Sequence, residues 1–370
     1  MNLNFITKAL ISTVGLSLVL LFSLSTSLHA ETDQSTFNIG VAIGLTGPVS
    51  SFCQPVKNGI LMAHSELSKE MQKQVVLHFE DDEGVPRKTV SAYKKLSSAK
   101  DIDALITCAS NTSKAVSSLT NSDKIPHIAI ASDYEIVKDR NYVVNLWVTP
   151  DVEAPIVMQE VKKRGYKKIA RITAMHDGTL SFKKIFDEQN KNTVSIELDE
   201  DFDTSATDFK SYLAKLKTKN DIDAIFLNLF PGQIGIFAKQ ARAMGYKQPF
   251  FGFELFEDVN EVKNAQGALE NQWYVQADEG TSDFLDRYKT KYPKASSFAA
   301  ANGYDAIALI AEGLKNREAQ SQTKEMVNKT LHEISNFTGA LGTYSATGDN
   351  RFTLPAVIKV VKDGKFIKLG

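Results

Sequence analysis

A chain of 370 residues, 43% hydrophobic, 24% charged and 9% aromatic, can build real cores and lacks the bias of disordered, collagen-like or heptad-repeat sequences. With 43 basic and 44 acidic side chains it is nearly neutral, which argues against nucleic acid as a partner.

In chain order, the first element is a targeting segment. Lys8 precedes a largely apolar run from Ala9 to Leu24, and Ser27-Leu28-His29-Ala30 follows, so residues 1–30 read as a secretory signal peptide cleaved after Ala30. Ser12, Thr13, Gly15 and Ser17 interrupt the run, which is shorter than the roughly 20 apolar residues a bilayer needs. No cysteine follows it to mark a lipoprotein. Lys8 is the only charged residue of this segment, so cleavage changes 43 basic side chains against 44 acidic ones to 42 against 44. The remainder is long enough for roughly two domains at about 150 residues each. A secreted, soluble protein is expected.

Phe37 to Leu45 is a β-rich apolar run broken by Thr46-Gly47-Pro48. Val56, Ile60, Ala63 and Leu67 then recur at helical spacing. Val75 to Phe79 predicts a strand, Lys88 to Ala99 a helix with Val90, Tyr93 and Leu96 inward, and Ile102 to Thr107 a strand. A short helix from Ser113 to Thr120 leads to a strand from Ile125 to Ala131. Alternating strands and helices imply a parallel α/β sheet.

The pattern then repeats. Lys95-Leu96 and Asp101-Ile102-Asp103-Ala104-Leu105-Ile106 are matched, 120 positions later, by Lys215-Leu216 and Asp221-Ile222-Asp223-Ala224-Ile225-Phe226. An internal duplication explains the constant offset, so two sheets of like topology are expected. The second series runs Lys168 to Ala174, a helix over Phe182 to Gln189, Ser195 to Leu198, a helix over Phe209 to Leu216, Ala224 to Phe230, a helix over Ile234 to Met244, and Phe250 to Phe253. A third part from Phe284 holds a helix with Ala306, Ile307, Ile310 and Leu314 on one face, then Phe337 to Tyr344 and strands around Pro355 to Val361 and Phe366 to Leu369. Neither copy needs this part to finish its sheet, and the simplest path returns to the first lobe and ends in the second.

Cys53 and Cys108 are the only cysteines, and in an oxidising compartment they pair, stay buried or do chemistry. They are too few for a zinc framework, and the histidines are scattered, so no metal site or cofactor is expected.

Ile39 to Gly59, with its Leu45-Thr46-Gly47-Pro48 turn, resembles the opening of periplasmic substrate-binding proteins of ABC transporters, of the branched-chain amino-acid type. Phe79 to Gly84 is similar to that family's acidic turn, Ala238 to Gly245 to a second-lobe helix, Tyr304-Asp305-Ala306 to the opening of its third-part helix, Gly339 to Gly348 to its last crossing, and Asp363-Gly364-Lys365 to its closing hairpin. The resemblance implies the type I periplasmic binding fold: two Rossmann-like lobes with parallel sheets, joined by a three-strand hinge. The lobes would comprise residues 36–147 plus 280–340 and 148–279 plus 341–370, with crossings near Trp147 to Asp151, Gln276 to Thr281 and Leu341 to Ala346. It further implies a monomeric periplasmic protein that closes on an amino acid or related amine and delivers it to an inner-membrane ABC permease.

Ligands of parallel sheets sit outside the carboxyl ends of the strands. By the resemblance, Ser110, Asn111 and Thr112, at the turn after the third strand, bind an α-carboxylate there, as a helix start can. Ser132 and Asp133 follow the fourth strand. Here the family's hydroxyl has become a carboxylate, suited to an ammonium. Glu254, in Gly252-Phe253-Glu254, matches the glutamate that pairs the α-ammonium, so two acidic strand ends are expected to face one cationic group. Phe52 stands where the family has an aromatic over the ligand. Phe230, Trp147 and Thr179 are further candidates, the last within His176-Asp177-Gly178-Thr179, which replaces the family's usual second-lobe motif. Cys53 and Cys108 would lie at neighbouring strands, where a disulfide and two buried thiols are both open. Two alternatives stand beside the importer reading: a ligand-presenting sensory subunit of the same fold, and an enzyme using a cysteine nucleophile.

Overall fold

A computed structural model describes residues 36–219, 221–315 and 323–369, so the expected signal peptide lies outside the described residues. The chain opens β1 (Phe37–Ile43), α1 (Ser50–Glu66), α2 (Lys69–Gln74), β2 (Val75–Asp81), α3 (Pro86–Lys100), β3 (Ala104–Cys108), α4 (Ser110–Ser122), β4 (His127–Ile130) and β5 (Val143–Asn145). These strands form one parallel sheet in the order β2-β1-β3-β4-β5.

The second series is α5 (Pro150–Lys163), β6 (Lys168–Ala174), α6 (Asp177–Asn190), β7 (Ser195–Phe202), α7 (Lys210–Leu216), β8 (Ala224–Asn228), α8 (Ile234–Ala243), β9 (Phe250–Phe253), α9 (Val259–Ala265) and β10 (Trp273–Ala277). Its strand order, β7-β6-β8-β9-β10, repeats that of the first sheet. The repeated Asp-Ile-Asp motif has the same physical task in each copy. Asp101 takes positive φ (45°) as the cap that ends α3, and Asp221, between α7 and β8, takes it as well (59°). Asp103 Oδ2 then accepts from Asn38 N at 2.8 Å, and Asp223 Oδ2 accepts from Lys167 N and Lys168 N at 2.6 and 2.9 Å. In both copies the second aspartate ties the start of the third strand to the start of the first.

The remaining elements are α10 (Ser282–Lys291), α11 (Ala300–Lys315), α12 (Thr323–Glu333), β11 (Phe337–Gly339), β12 (Gly342–Tyr344), β13 (Ala356–Lys362) and β14 (Lys365–Lys368). α11 returns to the first lobe and crosses α1 backbone to backbone. A Cβ at Gly59 would lie 1.9 Å from Ala300 O, and one at Gly303 2.2 Å from Val56 O. β13 and β14 extend the second sheet as antiparallel edge strands, so that sheet is mixed and the third part does complete it.

The chain passes between the two sheets three times, after β5, after β10 and ahead of β13. The expected boundary at 340/341 would cut the hairpin in which Phe337 to Gly339 pairs with Gly342 to Tyr344, so the third crossing comes later than Leu341 to Ala346. The Tyr304-Asp305-Ala306 motif explains why. Buried Asp305 accepts from Ala340 N (2.6 Å), Leu341 N (2.9 Å) and the Tyr344 hydroxyl (3.0 Å), holding the hairpin against α11. Arg351 of the third passage bonds Thr149 (2.7 Å) and Asp151 (2.6 and 2.7 Å) beside the first. Lys359 bonds both oxygens of Glu257 at 2.8 Å and reaches Glu279 in the second.

Candidate functional site

The carboxyl ends of the parallel strands of the two sheets face each other across a small, partly open cavity of about 40 Å³, where one water needs roughly 10 to 15 Å³. The first lobe supplies Phe52, Ala109, Ser110, Ser132, Phe298 and Ala299. The second supplies His176, Gly178, Thr179, Phe230, Glu254 and Leu255, and Trp147 enters from the first connection. Phe298 meets Phe52 and Trp147 edge-on, with ring centroids 6.2 and 5.4 Å apart. Among the described residues, no lysine or arginine lines the cavity.

Among the described residues, Glu254 is the only acid on its lining. The residue is 4% exposed, Trp147 Nε1 donates to Oε1, and Ser132 Oγ donates to Oε2 at 3.2 Å. Burial pushes its carboxyl up to about 7, against these two bonds. The His176 ring lies over Phe230, centroids 4.6 Å apart, and its Nδ1 accepts from Gly178 N at 3.2 Å. Burial lowers its pKa to about 4, so the ring is neutral at pH 7. Backbone strain gathers at the cavity too. Ala109 (φ 82°), Glu254 (φ 29°) and Ala299 (φ 62°) all line it, in the region that L-residues avoid at about 1 to 3 kcal/mol each.

The lobes meet closely here. A Cβ on Gly178 would lie 3.1 Å from both Ser110 Oγ and Ser132 Oγ, and Asn111 Oδ1 accepts from Asp177 N at 2.9 Å.

Among the expected binding residues, Phe52, Ser110, Ser132, Trp147, Thr179, Phe230 and Glu254 line the cavity, and Asn111, Thr112 and Asp133 do not. Thr112 turns its hydroxyl back to Cys108 O and Ala109 O (2.6 and 3.0 Å), satisfying backbone carbonyls. Asn111 bonds the opposite lobe. Asp133 departs most from expectation, because Lys114 neutralises it at 3.1 Å and its Oδ1 caps the next turn at Glu135 N. The pair of facing acids is therefore not Asp133 with Glu254. Thr179 donates to Ala174 O and His176 O, so it contributes surface rather than a free hydroxyl.

Cys53 and Cys108 form a disulfide between α1 and β3, with Cα atoms 6.0 Å apart. Neither sulfur is a thiolate, which removes the cysteine-nucleophile alternative.

Sequence reasoning missed Phe298, Ala299 and His176. The first two precede α11 in a stretch without periodicity, and only the return of the third part to the first lobe pointed to them.

The chain matches the periplasmic binding protein family over residues 36–365. A Leu/Ile/Val-binding protein homologue of Brucella melitensis is 24% identical over 343 residues, covering 86% of this chain and 90% of that protein. A leucine-binding protein, LivK, from Thermotoga maritima superposes with a TM-score of 0.83 at 20% identity, covering 90% of this chain and 98% of the other. An ABC transporter solute-binding protein of Rhodopseudomonas palustris, solved in complex with benzoate, has a TM-score of 0.78 at 19% identity, covering 91% and 96%.

Proposed function

This chain belongs to the periplasmic binding protein family, and on that premise we propose that it is the periplasmic solute receptor of an ABC importer, closing on a small ammonium-bearing solute with an apolar body. Amino acids fall within this class. One observation carries the reading: a buried carboxylate, Glu254, stands alone in a cavity walled by Phe52, Trp147, Phe230 and Phe298, with no lysine or arginine among the described residues on its lining. A cation pairs with that carboxylate and also gains from aromatic faces. A guest bearing only a carboxylate meets no base. In an amino acid, the α-carboxylate would face Ser110 and the first N–H groups of α4.

The relatives span both chemistries, since one is named for leucine, isoleucine and valine and another holds benzoate. Calorimetry at pH 7.5 with L-leucine, L-phenylalanine, phenethylamine and benzoate separates them. Binding of an amine or amino acid is expected, and Glu254→Gln should weaken it by about 2 to 5 kcal/mol, at least about thirtyfold. Binding of benzoate alone would overturn the reading.

A further inference from the structure

A second chamber adjoins the cavity that holds Glu254. It is partly open, has a volume of about 130 Å³ and lies between the lobes, with Ser51 and Ser296 on the first-lobe side and Pro231, Asp258 and Asn260 on the second. Phe52, Leu255 and Phe298 line both chambers, so these three apolar side chains form the waist between them. The Glu254 cavity, at about 40 Å³, has room for about three waters, enough for an ammonium and its nearest carbons. The body of a longer guest has to continue past the waist.

The second chamber matches the first in the sign of its charge. Among the described residues no lysine or arginine lines it, and its acids are Glu257 and Asp258. Glu257 is already engaged, because Lys359 donates to both of its oxygens at 2.8 Å and the Tyr274 hydroxyl donates to Oε2 at 2.8 Å. Lys359 also serves Glu279, so one base is shared between two carboxyls and has no charge left over for Asp258. Asp258 is half-buried at the N-cap of α9, where its Oδ1 accepts from Asn260 N at 2.7 Å. No base among the described residues forms an ion pair with its carboxylate. An uncompensated carboxylate beside an apolar passage that leads to Glu254 suits one kind of far end, a second cation.

We propose that the solute is an elongated dication, an aliphatic chain with an ammonium at each end, whose first ammonium pairs with Glu254 and whose second reaches Asp258 past Phe52, Leu255 and Phe298. The inference rests on the ammonium reading above and names the far end of the guest. Diamines and diamino acids share this chemistry. Between the two ends the methylenes lie against the waist, so apolar contact and two ion pairs act along one chain. A monoamine of the same length fills the same space but sets an apolar end against a carboxylate, removing water from Asp258 without giving it a partner. Asp258 is thus a specificity-determining residue that selects for charge at the far end of the guest.

Calorimetry on the full chain with two matched pairs reads this: pentylamine against cadaverine, and L-norleucine against L-lysine, each pair differing by one terminal amine. In at least one pair the dication-bearing member should bind at least about tenfold more tightly than its partner, as a partly desolvated ion pair supplies. D258N should bring the two members of that pair together, because asparagine keeps the cap of α9 and drops the charge. Equal or reversed affinities within both pairs, or an advantage that survives D258N, would overturn the second cation site and leave the ammonium reading in place. Should none of the four bind, phenethylamine and L-leucine decide. If either of those binds, only the dication falls; if neither does, the ammonium reading falls with it.

Discussion

At the scale of single residues, burial converts ordinary side chains into groups with one permitted charge state. His127, at the start of β4, is 0% exposed, and its ring nitrogens lie 2.7 and 3.2 Å from the hydroxyls of Thr107 and Thr120. Burial, helped by the charge of Arg140, lowers its pKa from 6.5 to about 3. The folded value is below the unfolded one, so this contribution is complete above pH 6.5 and is lost as pH falls toward 3. At pH 5 the loss is about 2 kcal/mol. His127→Gln should therefore show a shallower fall in denaturation midpoint between pH 7 and pH 5 than the native protein, measured by urea unfolding at both. Parallel slopes would show that the imidazole charges freely in the folded state.

Between elements, covalent and polar ties fix what apolar packing leaves adjustable. The disulfide joins α1 to β3 across 55 positions and sits behind Phe52 and Ala109, so it anchors two segments of the cavity wall. Closing a loop of that length removes unfolded-chain entropy worth about 4 kcal/mol in the chain-entropy treatment. Reduction, or replacement of both cysteines by serine, should lower the thermal midpoint by several degrees, read by circular dichroism with and without reductant. An unchanged midpoint would mean that the bond adds no restraint. Asp305 is the polar counterpart, binding two amides and a hydroxyl of the β11–β12 hairpin to α11.

For the whole molecule, the question is how two sheets meet. The hydroxyls of Ser110 and Ser132 both approach the backbone of Gly178, and a Cβ there would press on each at 3.1 Å, so that they would have to give way. A side chain there overpacks the interface between the lobes, at about 1 to 3 kcal/mol. Gly178→Val should bind its solute roughly five- to a hundredfold more weakly, and small-angle scattering should show a larger radius of gyration at saturating solute than for the native protein. Native affinity and radius in the variant would show that closure does not pass through this contact. The buried Lys359 of β13 holds Glu279 beside Glu257, and Arg351 holds Asp151 in the first turn of α5, so two of the passages between the sheets are pinned to elements of the second series.

The duplicated α/β series and the return of the third part to the first lobe were legible in the sequence, through periodicity and a repeat with constant offset, while the candidacy of Glu254 came with the family resemblance. The sequence also brought Cys53 and Cys108 to neighbouring strands, while their bonding depended on packing. Only the tertiary structure decided that Asp133 is paired by Lys114 and that Phe298 completes the aromatic wall. The reason is physical: the charge state and direction of a side chain follow from what surrounds it, and here those surroundings come from helices and connections far apart in the chain.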